Sequence, residues 1–333
     1  MFVYPNHKQL NYKKLLRPSL LIVCSMSISA CNNIGPTTSI AQAQPVVAAP
    51  KVALVLGGGG AKGFAHVGVI KVLEENGITP TLVVGTSIGS LVGSLYASGY
   101  TPTQLEQVAS TTPDSELTDF VLSNQGFIEG IKLKNFINAK VGGRAIEDFP
   151  IRFAAIAAEK HTLKKAVFTT GDAGLAVQAS CSVPNIFIAP RIPEKTGKKY
   201  IDGGVVSLVP VDSARDLGAD IVIAVDVTMP NTNRNNTSGN ILPAITSLSS
   251  FWRLLENNLS SNNRYSTTSR RSLMSNKRER ADIIITPDVG HISSLDTKQR
   301  SALIMAGVQA TTPQINAIKQ FIKEKSSSKY ATL

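Results

Sequence analysis

Five consecutive apolar residues, Val52-Ala53-Leu54-Val55-Leu56, run straight into Gly57-Gly58-Gly59-Gly60-Ala61-Lys62-Gly63, and then into a stretch with Val67, Ile70 and Leu73 at helical spacing. A short run that is apolar at every position is a strand covered on both faces, so its sheet needs helices above and below. The glycines allow a tight turn whose backbone can lie close to a neighbour. This order of elements demands an α/β architecture with a mainly parallel sheet. The pattern then recurs: Thr81–Val84 reads as a strand, Gly85-Thr86-Ser87-Ile88-Gly89 as a turn, and a helix follows to about Ser98.

Further along, Ile151–Ala158 and Ala166–Thr169 read as paired strands around the polar turn Glu159–Lys165. Asp172–Ser180 reads as a helix, Lys199–Ile201 as a short strand, Ser213–Leu217 as a helix and Ile221–Asp226 as a core strand. Asp282–Thr286 and Ser301–Lys325 predict one more strand and a closing helix on the same domain. Residues 76–105 carry no charge, which raises a membrane-spanning alternative. Gly77, Pro80, Gly85, Gly89, Gly93, Gly99 and Pro102 break that stretch too often, so a buried strand–turn–helix unit accounts for it better.

The formal net charge is +11, from 34 basic and 23 acidic residues in 333. Its distribution argues against a nucleic-acid binder. Residues 1–30 hold Lys8, Lys13, Lys14 and Arg17 and no acid, and residues 253–280 hold seven basic residues against Glu256 and Glu279. The remaining body is near neutral. The basic start is followed by the apolar run Leu20–Ile28, which has signal-peptide length and ends Ile28-Ser29-Ala30-Cys31, resembling a bacterial lipobox. Residues 1–30 are therefore expected to be a lipoprotein signal, with Cys31 the acylated first residue. Residues 31–51 read as a Pro/Ala-rich tether with a random-coil reach of roughly 25 Å. An exported lipoprotein held at a membrane follows, and Asn32 in place of aspartate favours the outer membrane of a two-membrane bacterium. Residues 227–281, rich in Asn, Ser, Thr and Arg around Phe251-Trp252-Arg253-Leu254-Leu255, read as a basic insertion that could face the membrane. With only Cys181 left unlipidated after processing, no intramolecular disulfide is expected.

Gly85-x-Ser87-x-Gly89 between strand and helix is the pattern of a nucleophile elbow, which lifts a serine hydroxyl above a helix N-terminus. Alone it can equally be a structural turn. Gly57–Gly63 admits three readings. The spacing Gly58-x-Gly60-x-x-Gly63 fits a dinucleotide fingerprint, but the next strand ends Val83-Val84-Gly85 with no acid for a ribose. A phosphate loop needs Gly-Lys-Ser/Thr, and the order here is Lys62-Gly63. An oxyanion hole needs only amides aimed at a developing alkoxide, and is favoured once Ser87 is counted. Asp202-Gly203-Gly204 closes a short strand and by itself is a turn. His66, His161 and His291 are read as structural or exposed and not as a triad base.

Taken in order, G-G-G-G-A-K-G, G-T-S-I-G, A-S-C-S-V-P (Ala179–Pro184) and D-G-G, with the stretch Pro210–Asp220, resemble the patatin-like phospholipase family over residues 52–226. The resemblance implies a three-layer α/β/α fold and a Ser–Asp dyad, with Ser87 as nucleophile and Asp202 as base. It places the oxyanion hole at Gly58, Gly59 and Gly60, with Lys62, Gly63, Gly85, Gly89, Gly203 and Gly204 as supporting motif positions. The expected substrate is a phospholipid or lysophospholipid acyl ester. No cofactor and no metal is expected, for no His/Cys/Asp cluster has ligand spacing. A general carboxylesterase, thioesterase or acyltransferase, and a non-catalytic lipid-binding module, are the competing readings.

Overall fold

The computed structural model describes residues 49–228 and 280–331; the signal sequence, Cys31, most of the tether and nearly all of the basic insertion lie outside them. The opening motif forms strand β1 (Val52–Leu56), a 3-10 turn over Gly60–Phe64 and helix α1 (Ala65–Glu75). It is followed by β2 (Leu82–Thr86), α2 (Ile88–Ala97), α3 (Pro102–Thr111), α4 (Ile131–Lys140), β3 (Arg152–Glu159) and β4 (Lys165–Phe168). Then come α5 (Ala173–Cys181), β5 (Arg191–Ile192), β6 (Lys198–Asp202), α6 (Val211–Asp216), β7 (Ile221–Val225) and β8 (Ile283–Ile285). Helices α7 (Arg300–Thr311) and α8 (Ile315–Ala331) complete the described chain.

The sheet runs β5-β6-β3-β2-β1-β7-β8, with β4 attached to β3. Strands β3, β2, β1, β7 and β8 are parallel, whereas β4 and β6 pair antiparallel with β3, and β5 antiparallel with β6. Successive residues of the central strands alternate between two packed faces, as side-chain period two requires. Leu54, Leu56, Val83, Phe153 and Ile223 enter the larger core with α1, α2 and α7. Ala53, Val55, Val84, Ala154 and Val222 enter the smaller one against Val211 and Ala214 of α6. This is a three-layer α/β/α sandwich with one thick and one thin helical layer.

β3 is a branching strand, and its register positions the site. Thr86 of β2 lies opposite Ile156, and Asp202 of β6 lies opposite the next residue, Ala157. Ala155 and Ile156 pair at once with β2 and β4, and Ala157 and Ala158 at once with β4 and β6. β4 therefore fills one edge of β3, while β2 and β6 share the other edge end to end. Their carboxyl ends meet head-on.

The sequence patterns differ from the observed elements in three places, and the two-residue strand β5 is the smallest of these, with no counterpart in the sequence reading. The single closing helix expected over 301–325 is two helices, split by a 3-10 turn at Thr312-Pro313-Gln314. Pro313 lacks the amide a continuous helix would use and its ring crowds the preceding turn. Helices α3 and α4 have no counterpart in the sequence reading. α3 nevertheless carries a capping box, Thr101 accepting from the Gln104 amide and Gln104 from the Thr101 amide, with Pro102 at its start.

α1 and α7 pack at backbone distance. A Cβ at Gly68 would lie 2.0 Å from the Ile304 carbonyl oxygen, and one at Gly307 would lie 2.0 Å from that of Ala65. Backbone cannot yield as a side chain can, so Gly307→Ala is expected to destabilise the fold by about 1–3 kcal/mol. Urea unfolding of the variant against the parent measures this.

Candidate active site

β2 ends at Thr86 and the chain turns sharply at Ser87, whose φ of +54° with ψ of −128° is a backbone conformation few L-residues adopt. Such a conformation costs on the order of 1–3 kcal/mol and persists only where its surroundings enforce it. Here they do. A Cβ at Gly85 would lie 2.4 Å from the Gly89 carbonyl oxygen, and one at Gly89 would lie 2.1 Å from that of Leu56, so the elbow closes only with glycine at both positions. The Ser87 amide donates to Ser180 Oγ at 2.9 Å, and Ser180 in turn donates to the Ile156 carbonyl at 2.6 Å. Ser90 Oγ donates to the Ser87 carbonyl at 2.7 Å. Ser87 stands at the N-terminus of α2 but its side chain does not cap the helix, which leaves the hydroxyl for another partner.

That partner is Asp202. The Ser87 hydroxyl lies close enough to the Asp202 carboxylate to draw its pKa down, and the Gly204 amide donates to its Oδ1 at 2.7 Å. Asp202 is only 5% exposed, and its own amide is held by the Ser182 carbonyl at 2.8 Å. Burial raises its pKa to about 6, with the hydrogen bonds from Ser87 and Gly204 pulling the other way. The D-G-G motif serves this placement: a Cβ at Gly203 would lie 2.1 Å from the Ile156 carbonyl oxygen, so the turn lies flat against β3.

The glycine loop stacks over the elbow. A Cβ at Gly58 would lie 3.4 Å from Ser87 Cβ, and Gly63 makes room for the side chain of Ile88, the residue after Ser87. The loop is tied down on several sides. The Gly57 amide donates to the Val225 carbonyl at 3.0 Å, the Gly58 amide to Leu208 at 3.0 Å, and the Ala61 amide to Ser294 at 2.8 Å. Of the three glycines expected to offer free amides, Gly58 differs: its N–H is already engaged by Leu208. Gly59 and Gly60 keep amides with no partner among the described residues. Gly60 is required by conformation as well, with φ +58° and a would-be Cβ 2.3 Å from the Ser294 carbonyl oxygen.

Lys62 follows in the 3-10 turn and is 5% exposed, with no acidic partner among the described residues. Burial holds its pKa below the usual lysine value. His66 is fully buried and donates Nε2–H to the Gly57 carbonyl at 2.8 Å. Burial lowers its pKa to about 4, against the raising effects of that hydrogen bond and of Asp226. It is a neutral anchor of the glycine loop and points away from a base's role. His161 and His291 are exposed.

The site thus unites Ser87, Asp202, Gly59, Gly60 and Lys62 with their supporting glycines. Two residues outside the predicted set belong to its frame. Ser180 lies within the A-S-C-S-V-P stretch, so its presence near the site was signalled but not its role as a bridge. Ser294 carried no signal, because it acts through a backbone carbonyl that any residue supplies.

The family model for patatin-like phospholipases matches residues 54–215. The chain carries a patatin-like phospholipase domain over that stretch. An uncharacterized NTE family protein of Mycobacterium tuberculosis is 34% identical over 180 residues, 54% of this chain and 49% of that protein. Lysophospholipase NTE1 of Coccidioides immitis is 35% identical over 210 residues, 61% of this chain and 13% of that protein. The chain therefore spans about half the length of the mycobacterial relative and a small part of the fungal one. The crystal structure of VipD from Legionella pneumophila superimposes with a TM-score of 0.56 at 13% identity, covering 81% of this chain and 67% of that one. That likeness is one of patatin fold.

Ser180→Ala would leave the Ser87 amide and the Ile156 carbonyl without their buried partner. A loss of about 1–3 kcal/mol in unfolding free energy is expected, read by chemical denaturation. Asp202→Asn is expected to act oppositely. A carboxyl whose folded pKa is raised binds protons more readily in the folded state, so the native protein loses stability as pH rises from about 4 to about 6 and regains none above it. The asparagine variant escapes this loss and should melt higher at pH 7–8, by about 1–3 kcal/mol, with the difference vanishing below pH 4.

Proposed function

We propose that this patatin-family chain is a serine lipid acyl hydrolase working through Ser87 and Asp202. The observation that carries the reading is one juxtaposition: a serine hydroxyl, in a strained turn and unused for capping, stands beside a buried carboxylate whose pKa burial lifts to about 6. A carboxylate of ordinary pKa is a poor base for an alcohol, and raising it towards neutrality is what general-base catalysis needs. In the proposed cycle Asp202 takes the proton as Ser87 Oγ attacks an acyl ester carbonyl. The Gly59 and Gly60 amides receive the resulting oxyanion, each contributing roughly 3 kcal/mol in comparable sites. Asp202 then returns the proton to the leaving alcohol. Water, deprotonated by the same carboxylate, attacks the acyl-enzyme and frees the fatty acid.

For substrate we favour phospholipids, and among them lysophospholipids, because a relative that matches 61% of this chain is named a lysophospholipase. The lipobox-like sequence at Cys31 supports an exported lipoprotein that meets these lipids at the membrane holding it. Incorporation of labelled palmitate, lost in Cys31→Ser, tests the anchor.

Ser87→Ala and Asp202→Asn should each lower phospholipid hydrolysis by at least about a thousandfold while the protein stays folded. Products released from defined phospholipids and lysophospholipids identify the substrate. Hydrolysis of short soluble esters alone would support a general carboxylesterase, and turnover unchanged in Ser87→Ala would remove the dyad. Because Asp202 must be ionised to accept a proton, kcat/KM should fall as pH drops through about 6.

A further inference from the structure

We propose that a rigid apolar hairpin beside the site, residues 119–128, together with the basic arm 191–199, docks the chain onto an anionic phospholipid bilayer. Among the described residues, three large apolar side chains stand in water within eight positions: Phe120 at 78% exposure, Leu122 at 105% and Phe127 at 63%. A fourth, Leu295 at 72%, lies two residues from Thr297, whose hydroxyl donates to Asp114 just before the hairpin. The pairing of Phe120 with Ile128 puts Phe120 and Leu122 on one face of the hairpin and Phe127 on the other, so the hairpin is apolar on both sides. Exposed apolar side chains concentrated on one element mark a contact with something less polar than water.

The hairpin is held in shape. The Val121 amide donates to the Phe127 carbonyl at 2.9 Å, and the amides of Phe127 and Ile128 both donate to the Ile186 carbonyl, at 2.8 and 2.9 Å. The Ile188 amide returns a bond to the Ile128 carbonyl at 2.8 Å. At its base the Asp119 carboxylate accepts from the amides of Gly130, Ile131 and Lys132, tying the hairpin to the start of α4. The apolar side chains are thus presented on ordered backbone, and little ordering entropy remains to be lost on docking.

Its place in the fold gives the surface a purpose. Ile186–Ile188 belong to the segment that runs from Ser182, whose carbonyl holds the Asp202 amide, to β6, which ends in Asp202 itself. Charge supplies the second argument. The arm formed by β5, its turn and β6 carries Arg191, Lys195, Lys198 and Lys199 against Glu194. Lys199 Nζ reaches the hairpin, donating to Gln125 Oε1 at 2.9 Å. Glu194 is already paired, with Lys134 at 2.6 Å, and Lys198 is paired with Glu159 at 3.0 Å, so Arg191, Lys195 and Lys199 are the arm's cations without an acidic partner among the described residues. Apolar side chains that enter the acyl boundary, flanked by lysines that meet phosphates, form the combination an anionic lipid surface selects.

The purpose rests on the lipid-hydrolase reading, but the binding does not, so the test separates them. Vesicle co-sedimentation would use the full chain with Cys31→Ser, which removes any acyl anchor, and with Ser87→Ala, which removes turnover. Phosphatidylcholine vesicles with and without phosphatidylglycerol are compared. The expected result is tighter binding to the anionic vesicles, weakened by salt and reduced roughly tenfold or more by Phe120→Ser/Leu122→Ser/Phe127→Ser. Leu122→Asp alone, at a fully exposed position that cannot disturb the fold, should also weaken it. Lys195→Gln/Lys199→Gln should shrink the advantage of phosphatidylglycerol. With Ser87 restored, all these variants should hydrolyse a soluble ester at the parental rate, whereas a failed lipid-hydrolase reading would show as no turnover in the parent. Binding that is unchanged in Leu122→Asp and in the triple variant overturns the proposal, as does a hairpin that instead mediates self-association without lipid.

Discussion

The two adjacent pairings on β3 carry the rest of this structure. Ile156 faces Thr86 and Ala157 faces Asp202, so the ends of a parallel and an antiparallel strand abut along one edge. Neither strand could continue without colliding with the other. Both chains must leave the sheet at this point, β2 into the elbow at Ser87 and β6 into the turn at Gly203. The approach of Ser87 to Asp202 is therefore set by sheet register, which is stiff, and needs no adjustable loop. Ser180 reinforces it by holding the Ile156 carbonyl and the Ser87 amide with one hydroxyl. A one-residue slip of β6 would turn Asp202 to the opposite face of the sheet.

Around that junction the chain accepts several local costs. Ser87 is strained, Asp202 is a buried carboxyl, Lys62 is a buried amine, and the Gly59 and Gly60 amides have no partner among the described residues. Their stability comes from elsewhere: the all-apolar strands β1, β2 and β7, and the close packing of α7 against α1. The anchoring of the glycine loop by Ser294 reaches beyond the matched region 54–215. The segment after the basic insertion is thus part of what shapes the site, since Gly60 lies directly against it.

Much of this was legible from sequence for a physical reason: each element near the site is constrained at every residue. VALVL before four glycines has few alternatives, and Gly85 and Gly89 are required by backbone contacts of about 2 Å. Legibility failed where constraint is shared or carried by the main chain. α3 and α4 bury only a few residues each, Leu105 and Ala109 in the first, and Leu133, Phe136 and Ile137 in the second, so their periodicity is faint. The donation of the Gly58 amide to Leu208 depends on a loop 150 positions away. The exposed Phe120, Leu122 and Phe127 are interspersed with polar residues in sequence and come together on one element only when the hairpin closes. The basic insertion, which charge made the candidate membrane contact, lies outside the described residues.

That no histidine among the described residues is bonded to Ser87 has a physical logic. An imidazole suits a serine nucleophile because its pKa lies near neutrality without assistance. Here the buried histidine at hand, His66, is spent on the Gly57 carbonyl and lowered to about 4, where it stays neutral and rigid. The same burial acts in the opposite sense on an acid, lifting Asp202 to about 6. One dry environment therefore moves a histidine away from useful basicity and an aspartate towards it. Within such a site a carboxylate is the better base, provided its geometry is fixed. The register of β3 fixes it.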